Sequence, residues 1–162
     1  MRDKKFDRKI FRIRRNYPWR EFLWKGLIFL FFTSAWVYFY RSDVFFQLPR
    51  SNFQIWLLVM VSYPLWSAYT QEVIFRVFFF HRYKQLFSND YAMLIANAFL
   101  FAMAHIIFRN LVALTFTFFG SLLLSLTYLR NKSLNAAFLE HSIYGNILFT
   151  NGLGVYFYLP FG

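Results

Sequence analysis

The sequence predicts an all-α integral membrane protein, a bundle of about five transmembrane helices with a basic cytoplasmic N-terminal arm. Three observations lead there. Hydrophobic residues make up 59% of the 162 residues and charged ones only 15%. That is more apolar surface than a small soluble globule can bury, so a bilayer is the natural solvent for the remainder. The net charge of +11 gathers at one end: residues 1–25 hold ten Lys/Arg against Asp3, Asp7 and Glu21, leaving +7 there and +4 for the other 137 residues. Finally, apolar runs of spanning length alternate with short basic breaks. The length suits one compact unit, and the absence of cysteine excludes disulfides and thiolate chemistry.

The chain divides into an arm, 1–25, and a membrane bundle, 26–162. In the arm, bases alternate with Phe6, Ile10, Phe11 and Ile13, and Trp19 and Trp24 suit the headgroup level. An anionic cytoplasmic leaflet attracts such an arm. No base-reading module accompanies it, so no nucleic acid partner is expected. Segment 26–40, GLIFLFFTSAWVYFY, reads as an uncleaved first span, because the basic region is too long for a signal peptide and no small-x-small cleavage site follows. Arg41-Ser42-Asp43 breaks the run. The next apolar run, 53–80, is too long for one straight span and contains Pro64, which predicts a bent or broken helix. Runs at 90–108, 111–129 and 134–149 follow, separated by Arg109-Asn110 and Arg130-Asn131-Lys132. Each is near the ~20 residues that cross a bilayer. The aromatic, Gly-containing tail TNGLGVYFYLPFG should lie at an interface. With the N-terminus in the cytoplasm, inside loops hold fourteen Lys/Arg and outside loops three. This is the positive-inside pattern and places the chain in the cell (plasma) membrane as a multi-pass protein.

Against this apolar background a few residues are expensive. A charge at a helix centre costs roughly 2.5–3.5 kcal/mol on an insertion scale. Glu72 and Arg76 are four apart, on one helical face, and can neutralise each other. His105 lies in the third span and His141 in the fifth, followed by Gly145 and Asn146. Three helices thus each carry an ionisable side chain, the pattern of a polar intramembrane cavity. Thr117, Ser121 and Ser125 add a weakly polar stripe to the fourth span. Glu140 points about 100° away from its neighbour His141 and reads as a helix contact. His81, beside Arg82 and Lys84, reads as a solvated interface residue. Counted along straight helices, Glu72 and His141 lie ~13 Å from the cytoplasmic boundary and His105 ~22 Å, a mismatch in depth. A bis-histidine haem on His105 and His141 would leave Glu72 and Arg76 without a role.

Glu72-x-x-x-Arg76, then Phe101-x-x-x-His105, then His141 with a nearby Asn resembles the three-motif pattern of the CPBP family, the CAAX-protease and bacteriocin-processing (Abi) membrane proteins. The likeness covers about residues 60–158, including LEHSIYGN and FTNGLGVYFY. It departs twice. The first motif usually opens with two glutamates, and Gln71 stands first here. The last usually spaces His and Asn by four, and Gly145 holds that position, with Asn146 one further.

The resemblance implies an intramembrane endopeptidase that hydrolyses a peptide bond in a membrane-associated peptide or protein. Glu72 would be the general base that activates water, opposed by Arg76 and flanked by Gln71. His105 and His141 would orient water, bind metal or hydrogen-bond the developing oxyanion, with Asn146 sharing that last role. Two imidazoles and the Glu72 carboxylate would also form a zinc set with one open position, although a metal-free mechanism suits the same residues, so no cofactor is certain. Expected partners are the bilayer and a peptide or membrane-protein substrate. The alternative is a catalytically inactive family member that binds peptide, confers bacteriocin-type self-immunity or acts as a membrane scaffold.

Overall fold

A computed structural model describes residues 8–12 and 19–158, and no strand occurs among them. Much of the expected arm, and residues 159–162 of the tail, lie outside the described residues. Helix α1, Trp19–Tyr40, has 22 residues and follows a short 3-10 turn, Arg8–Phe11. Helix α2, Gln47–Ser51, is a single turn and a half. Helix α3 runs over 53–83, and α4, α5 and α6 are Asp90–Ala104, Leu111–Asn131 and Leu134–Asn151. A final 3-10 segment, Leu153–Phe157, closes the chain.

Polar residues at the joints set these boundaries. Asn52, Asn89, Asn110 and Ser133 each accept a hydrogen bond from the backbone three residues on, which satisfies an orphan amide at the start of α3, α4, α5 and α6 respectively. Helix α5 ends at Lys132 and α6 at Gly152, both in the left-handed conformation (φ 48° and 112°). At Gly152 a β-carbon would collide with the Val44 carbonyl, so glycine serves both the turn and the close approach.

Among the described residues, three helices are long and apolar enough to cross a membrane on length and composition alone: Trp19–Tyr40, Asp90–Phe108 and Leu111–Asn131. Only 11% of the most apolar window of α1 is buried, as expected of a helix that faces lipid. The other two expected spans, α3 and α6, carry Glu72, Arg76, Glu140 and His141, while His105 falls within the Asp90–Phe108 span. Composition alone therefore supports an all-α membrane protein and not the count of five.

The break expected at Pro64 is present and is one of two. The α3 hydrogen-bond ladder widens into π-helical turns at Tyr63–Ala68 and Val73–Phe78. Proline has no N–H, so the carbonyl four residues back loses its donor. That carbonyl, Met60, is taken by the Asn146 Nδ2 of α6 at 3.2 Å. Within the second π turn the Phe75 carbonyl accepts from Asn97 Nδ2 of α4 at 2.7 Å. Each widened turn is thus held by a side chain from a neighbouring helix.

The bundle is layered along its axis. At one end Val77, Phe80, Met93, Tyr128 and Leu134 form an apolar cluster. At the other, Val37, Val44 and Leu153 form a second, joined by Val112 and Phe116. Between them lies a buried polar layer that includes Glu72, Arg76, Asn97, Ser121, Ser125 and His141.

Candidate active site

The helical spacing that puts Glu72 and Arg76 on one face brings Arg76 Nε within 3.1 Å of Glu72 Oε2, and both residues are fully buried. The two atoms are out of line for a hydrogen bond, so this contact is an ion pair. The other carboxylate oxygen, Oε1, lies 2.8 Å from His141 Nδ1. With the carboxylate ionised beside Arg76, a neutral His141 carries its proton on Nδ1 and its lone pair on Nε2.

Arg76 is itself held from behind. Its Nη2 donates to Ser121 Oγ at 3.2 Å, and its guanidinium lies 5.0 Å from the centre of the Phe101 ring. Ser121 and Ser125 both donate to Asn97 Oδ1, at 3.3 and 3.0 Å. A continuous polar chain therefore runs from α4 and α5 through Arg76 and Glu72 to His141. The Ser121/Ser125 stripe is visible in the sequence, one turn apart. Asn97 is not signalled there, because one buried Asn in an apolar helix has no periodicity.

His105 follows the last residue of α4, where its Nδ1 lies 2.7 Å from the Phe101 carbonyl. A carbonyl oxygen only accepts, so Nδ1 carries the proton and Nε2 is left as an acceptor. The Phe101 ring touches both imidazoles, with centroid distances of 4.7 Å to His105 and 5.8 Å to His141.

Both imidazoles line one cavity of about 140 Å³. Tyr63, Ser67, Gln71, Thr117 and Tyr144 share its wall with a set of Phe and Leu side chains. Along α6 the lining runs from His141 to Phe149, about 12 Å at helical rise. This elongation removes the depth mismatch expected from straight spans, because the cavity reaches both levels. Helix α1 contributes Phe29, stacked on Tyr144 at 4.5 Å.

A family model described as type II CAAX prenyl endopeptidase Rce1-like matches residues 49–147. The chain belongs to the Rce1-like family. No curated protein and no solved structure matches it. The matched segment includes Glu72, Arg76, His105 and His141 and leaves α1, with its Phe29 wall, outside.

Not every site residue expected from the sequence reaches the cavity. Glu72 is not on its lining; it stands behind His141. Gln71 is on the wall, its Nε2 donating to Ser67 Oγ at 2.9 Å. Asn146 is taken up by the Met60 carbonyl and is not on the lining. The physical reason is local, because Pro64 orphans a carbonyl that Asn146 is placed to satisfy. Glu140 is the expected helix contact. It accepts from Thr127 Oγ1 at 2.5 Å and Tyr144 Oη at 2.6 Å, with Lys25 Nζ at 3.6 Å. The zinc set read from the sequence does not fit this arrangement. No group of three His, Cys, Asp or Glu converges among the described residues, and Glu72 is engaged by Arg76 and His141.

Proposed function

We propose that this Rce1-like chain is an intramembrane endopeptidase in which Glu72 acts through His141. The observation that carries the reading is the 2.8 Å contact between Glu72 Oε1 and His141 Nδ1, made by a ring that also lines the cavity. A carboxylate that holds Nδ1–H fixes the tautomer and favours the imidazolium that forms when Nε2 takes a proton. In this reading Nε2 removes a proton from water as the water oxygen bonds to the carbonyl carbon. His105 Nε2, across the Phe101 ring, offers a second acceptor that aligns the water. Collapse breaks the C–N bond, and His141 returns its proton to the leaving amine. The substrate is a membrane-associated peptide, and the family suggests a prenylated C-terminus for the aromatic cavity. The N-terminus faces the cytoplasm of the plasma membrane in this reading, supported by the fourteen-to-three distribution of bases.

One observation favours a second reading. The residue of the first motif that lines the cavity is the amide Gln71, while the carboxylate Glu72 is fully buried. A non-cleaving member that binds peptide would tolerate this.

The test is cleavage of a quenched fluorescent peptide, ending in S-farnesylcysteine plus three residues, by purified protein in liposomes. Wild type is expected to cleave it, and Glu72→Gln, His105→Ala and His141→Ala to lose activity while still inserting. Binding of the peptide by wild type without hydrolysis would establish the second reading.

A further inference from the structure

We propose that Tyr63 is a further catalytic residue, its phenolic hydroxyl donating a hydrogen bond to the peptide carbonyl oxygen as that oxygen becomes an oxyanion. The proposal rests on the peptide-hydrolysis reading and goes beyond it by naming a donor.

Such a reaction requires a donor, and the cavity has few to offer. His105 and His141 turn lone pairs toward it, not protons, once their Nδ1 atoms are bound by Phe101 and Glu72. Thr117 Oγ1 donates to the Ala113 carbonyl at 2.7 Å. Tyr144 Oη donates to Glu140 and Asn146 Nδ2 to Met60. Gln71 Nε2 gives one of its two protons to Ser67 Oγ, so the second Gln71 N–H and the Ser67 O–H are left beside the phenol, both from short or amide side chains on the same wall. The Tyr63 hydroxyl makes no hydrogen bond to any described residue. Tyr63 lines the cavity, its ring edge-on to His141 with centroids 6.0 Å apart and planes at 78°.

The position is built. Phe149 also meets the ring, with centroids 5.3 Å apart, so the phenol packs against two aromatic neighbours. Its path crosses the α6 backbone at Gly145, one turn beyond His141. There a β-carbon would fall on the Tyr63 ring and on its hydroxyl oxygen. Glycine at 145 is therefore the condition for the phenol to lie where it does. The first π turn of α3 begins at Tyr63, so the ring leaves the helix at a widened turn. A donor fixed in advance, in a water-poor site, is the arrangement that stabilises a developing oxyanion.

The chemistry balances. Water oxygen bonds to the carbonyl carbon, the carbonyl π electrons move to oxygen, and Tyr63 Oη–H donates to that oxygen without transferring its proton. When the C–N bond breaks, the electrons return and the amine takes the proton held on His141.

The experiment compares wild type, Tyr63→Phe and Gln71→Leu in liposomes. It uses the farnesylated peptide for kinetics and a non-cleavable phosphonate analogue of the same peptide for affinity. Tyr63→Phe keeps the ring and its packing. Its kcat is expected to fall by about 10²–10³-fold, the usual effect of losing one oxyanion donor, while KM stays within about threefold. The phosphonate should bind it correspondingly more weakly. Unchanged kcat and phosphonate affinity in Tyr63→Phe, or the kcat loss appearing in Gln71→Leu instead, overturns the proposal. If wild type cleaves nothing, the protease reading fails on its own. Weaker phosphonate binding by Tyr63→Phe would then still identify the phenol as the donor, and equal binding would remove it.

Discussion

Glu72 and Arg76 are most costly when only one of them is present. Both are fully buried, so removing one leaves the other charge without an opposite in a low-dielectric layer. Arg76→Leu is expected to lower stability by about 3–5 kcal/mol. The double variant Glu72→Gln/Arg76→Leu should lose much less than the sum of the single changes. Thermal unfolding of the four proteins in one detergent measures this coupling. At this scale the sequence singles out residues by their expense. Glu72, Arg76, His105 and His141 stand out because lipid makes each of them costly, and the structure brings the first and last into contact. Tyr63 did not stand out, because it is one of 11 tyrosines in a chain that is 25% aromatic. Its distinction lies in the glycine opposite it on another helix, which no local pattern records. The expected zinc set is not assembled among the described residues: the local pairing of Glu72 with Arg76 was legible from their spacing, whereas the contact of Glu72 with His141 is a tertiary one.

At the scale of elements, α3 is defined by how its interruptions are repaired. Asn146→Ala leaves the Met60 carbonyl without its donor and should destabilise by about 1–3 kcal/mol. Pro64→Ala restores a backbone N–H four residues after Met60, so adding it should recover part of the loss. A double-mutant cycle on thermal stability checks this. Cleavage per folded molecule should stay unchanged in Asn146→Ala, because Asn146 is not on the cavity wall. The sequence located the helix starts well from where the apolar runs begin, and the structure adds that Asn52, Asn89, Asn110 and Ser133 cap those starts. It located Pro64 but not the second π turn, where no residue type signals a widened ladder and Asn97 from α4 does the stabilising.

The connection after α1 supplies a pH test. Arg41 donates to both oxygens of Asp43, at 2.9 and 2.8 Å, and to Tyr156 Oη at 2.7 Å. The hydrogen bonds from Arg41 hold the Asp43 carboxyl below its usual range. Its folded value is thus below its unfolded one. The contribution is fully present above the unfolded value of about 3.9 and is lost as pH falls through the folded value. The pair is solvent-exposed, so the effect is small and salt-sensitive. Wild type should show a slight loss of Tm below about pH 4 that Asp43→Asn lacks, as followed by thermal melts across pH.

For the molecule as a whole, the polar layer between two apolar clusters fixes which groups can meet, and the bilayer fixes which ends face which compartment. The chain has no cysteine, so single cysteines report topology without a background. Arg50, in α2, and Lys84, just past α3, are exposed and flank opposite ends of α3. Arg50→Cys should react with a membrane-impermeant maleimide in intact cells, and Lys84→Cys only after permeabilisation. The reverse result would invert the proposed orientation. The fold class was legible because composition and charge segregation are properties of the entire chain. The span count was less so, because α3 and α6 trade apolarity for the residues of the site.

The Gly145–Tyr63 crossing also constrains how this sequence can drift. A larger residue at 145 displaces the Tyr63 ring from its present place unless 63 is smaller, and Asn146 is tied to its register by the Met60 carbonyl that Pro64 leaves open. Substitutions here are thus passable only in a particular order, so a pairwise variant library should recover Gly145→Ala alongside Tyr63→Ala and not alone.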